Sequence, residues 1–169
     1  LGRVLGFGVT VVEPVLLKGG VVNATRIRQV LRRGEVEAAS ELLGRQYSLS
    51  GTVVPGEKRG AVLSFPTANI EVRPEEKLVP KEGVYAVQSD LQGGRVGGMM
   101  NVGVRPTFGG GRVAVEVHLF DFKGDLYGRP IRVSFAKRLR AELRFESLEE
   151  LRHQMEEDEE RARQILKGS

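Results

Sequence analysis

Glu116 stands between Val115 and Val117, on the side opposite the alternating stripe Val113, Val115, Val117 and Leu119. A carboxylate so placed acts as a general base if its face lines a cavity, and is an ordinary outward residue if that face meets water. His118 shares the face, but one histidine two residues away makes neither a triad nor a metal site and reads as structural. Thr67 and Asn69 offer two neutral oxygen ligands one residue apart on an extended segment fixed by Pro66. Hard donors of this kind suit Mg²⁺, which keeps most of its waters and completes its shell from nucleotide phosphates. The same pair also fits a local turn bonding its own backbone. Upstream, Gly56 and Gly60 flank Lys58 and Arg59, so exposed N–H groups and positive charge meet as in a phosphate cradle. The stretch is not a Walker A loop, because no Gly-Lys-Ser/Thr opens a helix there, and a polar hairpin turn remains the alternative. Two Pro/Gly-punctuated loops, Asn101–Phe108 and Asp121–Gly128, read as lids or as connections.

These residues need a scaffold, and the pattern supplies a β-rich one. Strands are expected over Leu49–Val54, Val84–Ser89, Arg95–Val102, Val113–Phe122 and Ile131–Phe135, without intervening helices. That arrangement argues for an antiparallel barrel or sandwich. Ser147 and Glu150 form a capping-box pair, followed by a helical stripe of Leu148, Leu151, Met155, Ala162 and Ile165. The coarse reading is a β-barrel closed by one C-terminal helix. Before Tyr47 the texture differs. Val9–Val12 reads as a short buried strand, a helix begins at Asn23 or Thr25 and ends at Gly34, and Glu35–Leu43 forms a second helix. One strand and two small helices cannot bury a core alone, so this segment reads as the tail of a larger domain.

The chain has 169 residues, no cysteine and no tryptophan, with Lys+Arg at 26 against Asp+Glu at 22. The missing cysteine excludes a disulfide scaffold, thiolate-bound zinc and a cysteine nucleophile. No apolar run approaches a membrane span and the first residues are not a signal peptide, so the expectation is a soluble, cytoplasmic protein with no membrane partner. Residues 146–169 hold eight acidic and four basic side chains, leaving 22 basic against 14 acidic in the remainder. A basic body binds polyanions, nucleotide triphosphates included. A nucleic-acid-binding barrel is an alternative, but aromatics at 6% poorly supply the stacking surface it requires.

Taken in order, the motifs resemble the riboflavin kinase (flavokinase) module over nearly all of Tyr47–Leu166. The resemblance rests on Gly51 to Asn69 with its Phe-Pro-Thr-Ala-Asn segment, then Gly83-Val-Tyr-Ala86 and Asn101–Phe108. It continues through Glu116-Val-His-Leu-Phe-Asp-Phe122, Gly124-Asp-Leu-Tyr-Gly128 and Leu139-Arg-Ala-Glu142. It implies a mainly β fold, a six-stranded antiparallel Greek-key barrel with a C-terminal helix, phosphorylating the ribityl 5′-hydroxyl of riboflavin with Mg·ATP to give FMN and ADP. The implied roles are Glu116 as base, Gly56, Lys58, Arg59, Gly60, Thr67 and Asn69 around ATP, and Thr67 and Asn69 on Mg²⁺. Arg105, Tyr127 and Arg140 are assigned to the flavin. A non-catalytic flavin-binding module is the other alternative.

Residues 1–45 resemble the end of the FMN adenylyltransferase domain of bacterial bifunctional FAD synthetases, leaving 46–169 as the kinase domain. Thr25, Arg26 and Arg28 match part of that domain's ATP motif, while its His-x-Gly-His type site is absent. This chain is therefore expected to make no FAD, and its intact parent to make it, with self-association through the full-length parent. Two departures from the kinase pattern are Ala61 after Arg59-Gly60 and Ser64 before Phe65.

Overall fold

The computed structural model describes residues 5–168, apart from 7, 9, 56–64, 73–76, 92–93 and 108–109 and the side chains of 105–112. The phosphate-loop residues Gly56, Lys58, Arg59 and Gly60, both departures at Ala61 and Ser64, and the Arg105 side chain therefore lie outside the described residues.

A two-residue hairpin, β1 (Leu16–Leu17) and β2 (Gly20–Val21), precedes helices α1 (Ala24–Arg33) and α2 (Val36–Leu43). Six strands follow: β3 (Ser48–Val54), β4 (Ala68–Glu71), β5 (Gly83–Leu91), β6 (Gly94–Thr107), β7 (Gly110–Leu119) and β8 (Pro130–Arg140). Helix α3 (Leu148–Lys167) ends the chain. The six strands close a barrel in the order β3-β4-β7-β6-β5-β8, every pair antiparallel. Strands β5, β6 and β7 are consecutive neighbours and β8 returns beside β5, which is the Greek-key arrangement. Closure leaves no barrel strand with an unpaired edge.

Period two divides each strand between two cores. Val115, Val117 and Leu119 of β7 point into the barrel with Val53, Val87, Met100, Val102, Val133 and Phe135. The alternate residues point outward, where Phe120, Met99, Ala86, Val84 and Leu139 meet Ala162, Leu151, Met155, Ile165 and Leu166 of α3. The helix therefore roofs one outer wall of the barrel. Its capping box forms as Glu150 N–H to Ser147 Oγ at 3.1 Å, while the Glu150 carboxylate reaches the N–H of Glu146 at 3.1 Å. Leu148 of the expected stripe stays 64% exposed, because it precedes the first turn that reaches the wall.

The helices α1 and α2 share the interior core of the barrel. Val30, Leu31, Val36 and Ala39 are buried in the same cluster as the inward strand residues, and Lys81 N–H donates to Leu31 O at 3.0 Å. They solve the shortage of core expected for the N-terminal segment by capping the barrel. Asn23 caps α1 through Arg26 N–H at 2.9 Å, and Gly34 ends it with φ 80°, in the left-handed region that suits glycine. The strand expected at Val9–Val12 does not form: Thr10–Val12 belong to no element, Val11 and Val12 are 79% and 86% exposed, and Val9 lies outside the described residues. No described strand lies beside them to bury that run. Strand β4, four residues long, was not among the expected strands. Strands β6 and β8 run further than their apolar stretches, and β7 stops at Leu119, before the left-handed turn at Asp121 (φ 58°).

Candidate active site

Strand register brings the sequence-distant candidates into one line. Asn69 pairs with Glu116, Glu116 with Asn101, Asn101 with Val84, and Val84 with Arg140. Residues paired in this way share a face of the sheet, and here it is the outer wall beneath α3. Glu116 faces a cavity of about 450 Å³ between wall and helix, also lined by Thr67, His118, Arg140, Glu142 and Met155. Of the two readings left open for Glu116, the cavity is the one realised.

The cavity walls are held by polar contacts of unequal burial. Arg140 Nε lies 3.1 and 2.9 Å from the two oxygens of Asp158, and its Nη2 lies 2.7 Å from Oδ2. Asp158 is 1% exposed, so the guanidinium is the counter-charge that makes its burial tolerable. Arg140 also donates to Ala141 O at 3.0 Å and stands 5.9 Å over the Phe145 ring. Asn101 Nδ2 approaches Glu142 Oε1 at 3.4 Å. A Cβ on Gly103 would sit 2.2 Å from that same oxygen, so glycine there is what lets the Glu142 carboxylate lie over the strand.

His118 is buried and edge-on to Phe65 and Phe120, with ring centroids 5.3 and 5.8 Å away. Its Nδ1 is 2.8 Å from Pro66 O. The histidine thus fastens the residue immediately before Thr67, a positioning task that a reading as merely structural leaves unspecified. The sequence hint was its shared face with Glu116; the partner emerged only with β4–β7 pairing.

A second cavity of about 180 Å³ lies at the barrel mouth, between inward residues such as Val53, Val117 and Leu119 and the loop residues Phe122, Gly124, Leu126 and Tyr127. Thr67 lines both cavities. Within the loop, Asp125 Oδ1 accepts from Tyr127 N–H at 2.8 Å.

Comparison with known proteins identifies the family of the chain. The family model described as Flavokinase, riboflavin kinase, matches residues 43–166. The chain belongs to the riboflavin kinase family. The bifunctional riboflavin kinase/FMN adenylyltransferase of Bacillus subtilis is 39% identical over 158 residues, covering 92% of this chain and 50% of that protein. Its Escherichia coli K12 counterpart is 41% identical over 167 residues, covering 98% and 52%. The chain spans about half the length of the curated relatives it matches. A crystal structure described as a macrolide-efflux protein from Streptococcus pneumoniae superposes with a TM-score of 0.84 at 37% identity, over 90% of this chain and 50% of that one. Among the described residues no helix is long and apolar enough to cross a membrane.

Within this riboflavin kinase fold, Glu116, Thr67 and Arg140 line the first cavity, and Asn69 sits directly across from Glu116. Tyr127, grouped with Arg140 in the sequence reading, lines the second cavity, with Phe122, Gly124 and Leu126 of the same loop. Near the N-terminus, Thr25 and Arg28 are exposed on α1, while Arg26 Nη1 donates to Leu17 O and Gly20 O, both at 2.9 Å, and so braces the β1–β2 turn. Glu142, Asp158 and Asn101 line the first cavity without having been singled out individually. Only the strand register and the return of α3 reveal them.

Proposed function

We propose that this domain transfers the γ-phosphoryl group of ATP to the 5′-hydroxyl of riboflavin, giving FMN and ADP. The first cavity takes the flavin and its ribityl chain, and the second takes the nucleotide. The observation carrying this reading is Thr67, which lines both cavities immediately before β4, the strand whose Asn69 pairs with Glu116. Donor and acceptor would meet there, and in-line phosphoryl transfer depends chiefly on positioning and charge stabilisation.

Glu116 accepts the proton of the attacking hydroxyl. Asn101, between Glu116 and Val84 in the register, and Glu142, within reach of Asn101, offer polar groups to the other hydroxyls of the polyol. Arg140 is committed to Asp158, so it shapes the cavity wall and fixes α3 over the flavin. This assigns the flavin side to Arg140 and withdraws Tyr127 from it; Tyr127 serves the nucleotide side.

Mg²⁺ would arrive with the nucleotide, with Thr67 and Asn69 as two neutral oxygen ligands from the protein. Bound there, the ion supplies positive charge against the phosphates. Gly56, Lys58, Arg59 and Gly60 complete the phosphate side, and Arg105 is kept as a flavin contact; both assignments rest on the family resemblance. Thr25, Arg26 and Arg28 are kept as part of an adenylyltransferase ATP motif on the family resemblance, and the small-molecule substrates are met in the cytoplasm.

Incubation of the chain with riboflavin, ATP and Mg²⁺, followed by chromatographic separation of flavins, tests the reading. FMN without FAD is expected. Riboflavin bound but unconverted would refute the kinase reading, and FAD formation would refute the assignment of residues 1–45 as an incomplete adenylyltransferase.

A further inference from the structure

The loop over the second cavity is anchored at both ends by different means. At its far end Gly128 N–H donates to Val53 O at 2.9 Å and Val53 N–H donates to Arg129 O at 3.0 Å, continuing the pairing of the barrel. At its near end β7 has stopped, and Asp121 turns the chain through the left-handed region at φ 58°. Aspartate tolerates this conformation better than most side chains, but local backbone preference alone does not select it. Both Asp121 carboxylate oxygens are gripped by Arg163 of α3, Nη1 to Oδ2 at 2.8 Å and Nη2 to Oδ1 at 3.0 Å.

Arg163 is itself fixed before it meets Asp121. Its Nε donates to Glu159 Oε1 at 2.8 Å, its Nη2 lies 2.7 Å from the same carboxylate, and its guanidinium stacks 4.5 Å above Phe120. Phe120 is buried, and its N–H donates to Gly97 O at 2.8 Å. A planar fork held by a carboxylate and an aromatic face presents its remaining donors in one direction. That direction sets where the 122–127 segment leaves the barrel, and hence the walls contributed by Phe122, Gly124, Leu126 and Tyr127.

We infer that Arg163 and Asp121 are positioning residues for nucleotide binding: helix α3, which roofs the flavin cavity, also sets the loop of the nucleotide cavity through this clamp. The inference rests on the second cavity being the nucleotide side. Neither residue lines either cavity, and Asp121 is largely exposed. An exposed ion pair contributes little to global stability. Its loss should therefore appear in ligand binding and not in unfolding.

The test compares steady-state kinetics of Arg163→Gln, Asp121→Asn and Arg163→Lys with those of Leu126→Arg, which blocks the second cavity directly. The clamp variants Arg163→Gln and Asp121→Asn should each raise KM for ATP by roughly three- to tenfold, with KM for riboflavin and kcat within about twofold. Their Tm should move by less than about 4 °C. Arg163→Lys, which keeps the charge but not the fork, should be intermediate. A raised KM for ATP in Leu126→Arg with unchanged values in both clamp variants overturns the clamp alone. Unchanged KM for ATP in all of them overturns the cavity assignment and the clamp with it. Parallel loss of both KM values and a large fall in Tm in the clamp variants would make the pair a structural strut, and also overturns the inference.

Discussion

The two cavities share Thr67 but are built differently. The larger is a product of strand register: Asn69, Glu116, Asn101, Val84 and Arg140 are fixed by backbone pairing, and α3 is tied over them by a nearly inaccessible carboxylate. The smaller is roofed by a loop whose glycine and acidic turn residues have few regular partners and whose near end hangs on an exposed ion pair. In the proposed function, the proton acceptor Glu116 stands on the wall fixed by backbone pairing, and the nucleotide enters under the loop. A single helix, α3, holds both through Asp158 on one side and Arg163 on the other.

That contrast breaks most sharply at Glu116. Glu116→Gln keeps the shape of the side chain and removes its ability to take a proton, so kcat should fall by about 10³-fold while riboflavin and ATP still bind. Collapse of binding, followed by flavin fluorescence and calorimetry, would make Glu116 structural. Next comes the buried tie. Asp158→Ala leaves Arg140 without its counter-charge beside the cavity and should cost about 3 kcal/mol of stability in denaturant titrations, loosening α3 and raising KM for riboflavin. A smaller effect is expected from Gly103→Ala, whose Cβ would meet the Glu142 carboxylate at 2.2 Å. Displacing that carboxylate should raise KM for riboflavin by about fivefold and leave KM for ATP unchanged, a loss near 1 kcal/mol.

The smallest effect lies outside both cavities. Burial pushes the Tyr47 phenol from its usual 10.0 up to about 12, and its hydroxyl donates to Leu78 O at 2.6 Å. The unfolded chain releases this proton first, so stability should be full below pH 10 and decline as pH rises through about 12. Tyr47→Phe should flatten that decline in part, since burial also raises Tyr85, and should leave both KM values alone.

Much of the barrel was legible because Val113, Val115, Val117 and Leu119 alternate without interruption and turns are marked by glycine and proline. The same alternation put Glu116 on the opposite face. What that face met was not legible, since it depends on α3 folding back across several strands to bring Asp158 to Arg140. Nor could four residues at Ala68–Glu71 announce a strand, and without β4 neither the Asn69–Glu116 pairing nor the task of His118 at Pro66 could be read. The N-terminal helices gave their caps away at Asn23 and Gly34, whereas their burial in the barrel core depends on contacts between Leu31 and Lys81 fifty positions apart. Tyr127 shows the limit of motif reasoning: its loop was recognisable, but its side of the barrel follows from the path of the chain after Asp121.

The central claim is that flavin and nucleotide occupy separate cavities meeting at Thr67, and placing one cation in each tests it most directly. KM for riboflavin and for ATP would be measured in Met155→Arg, at the first cavity, and Leu126→Arg, at the second. Met155→Arg should raise KM for riboflavin at least about tenfold and spare ATP, and Leu126→Arg should do the reverse, each loss amounting to about 1.4 kcal/mol or more. The opposite pairing, or equal losses of both ligands in both variants, would contradict it.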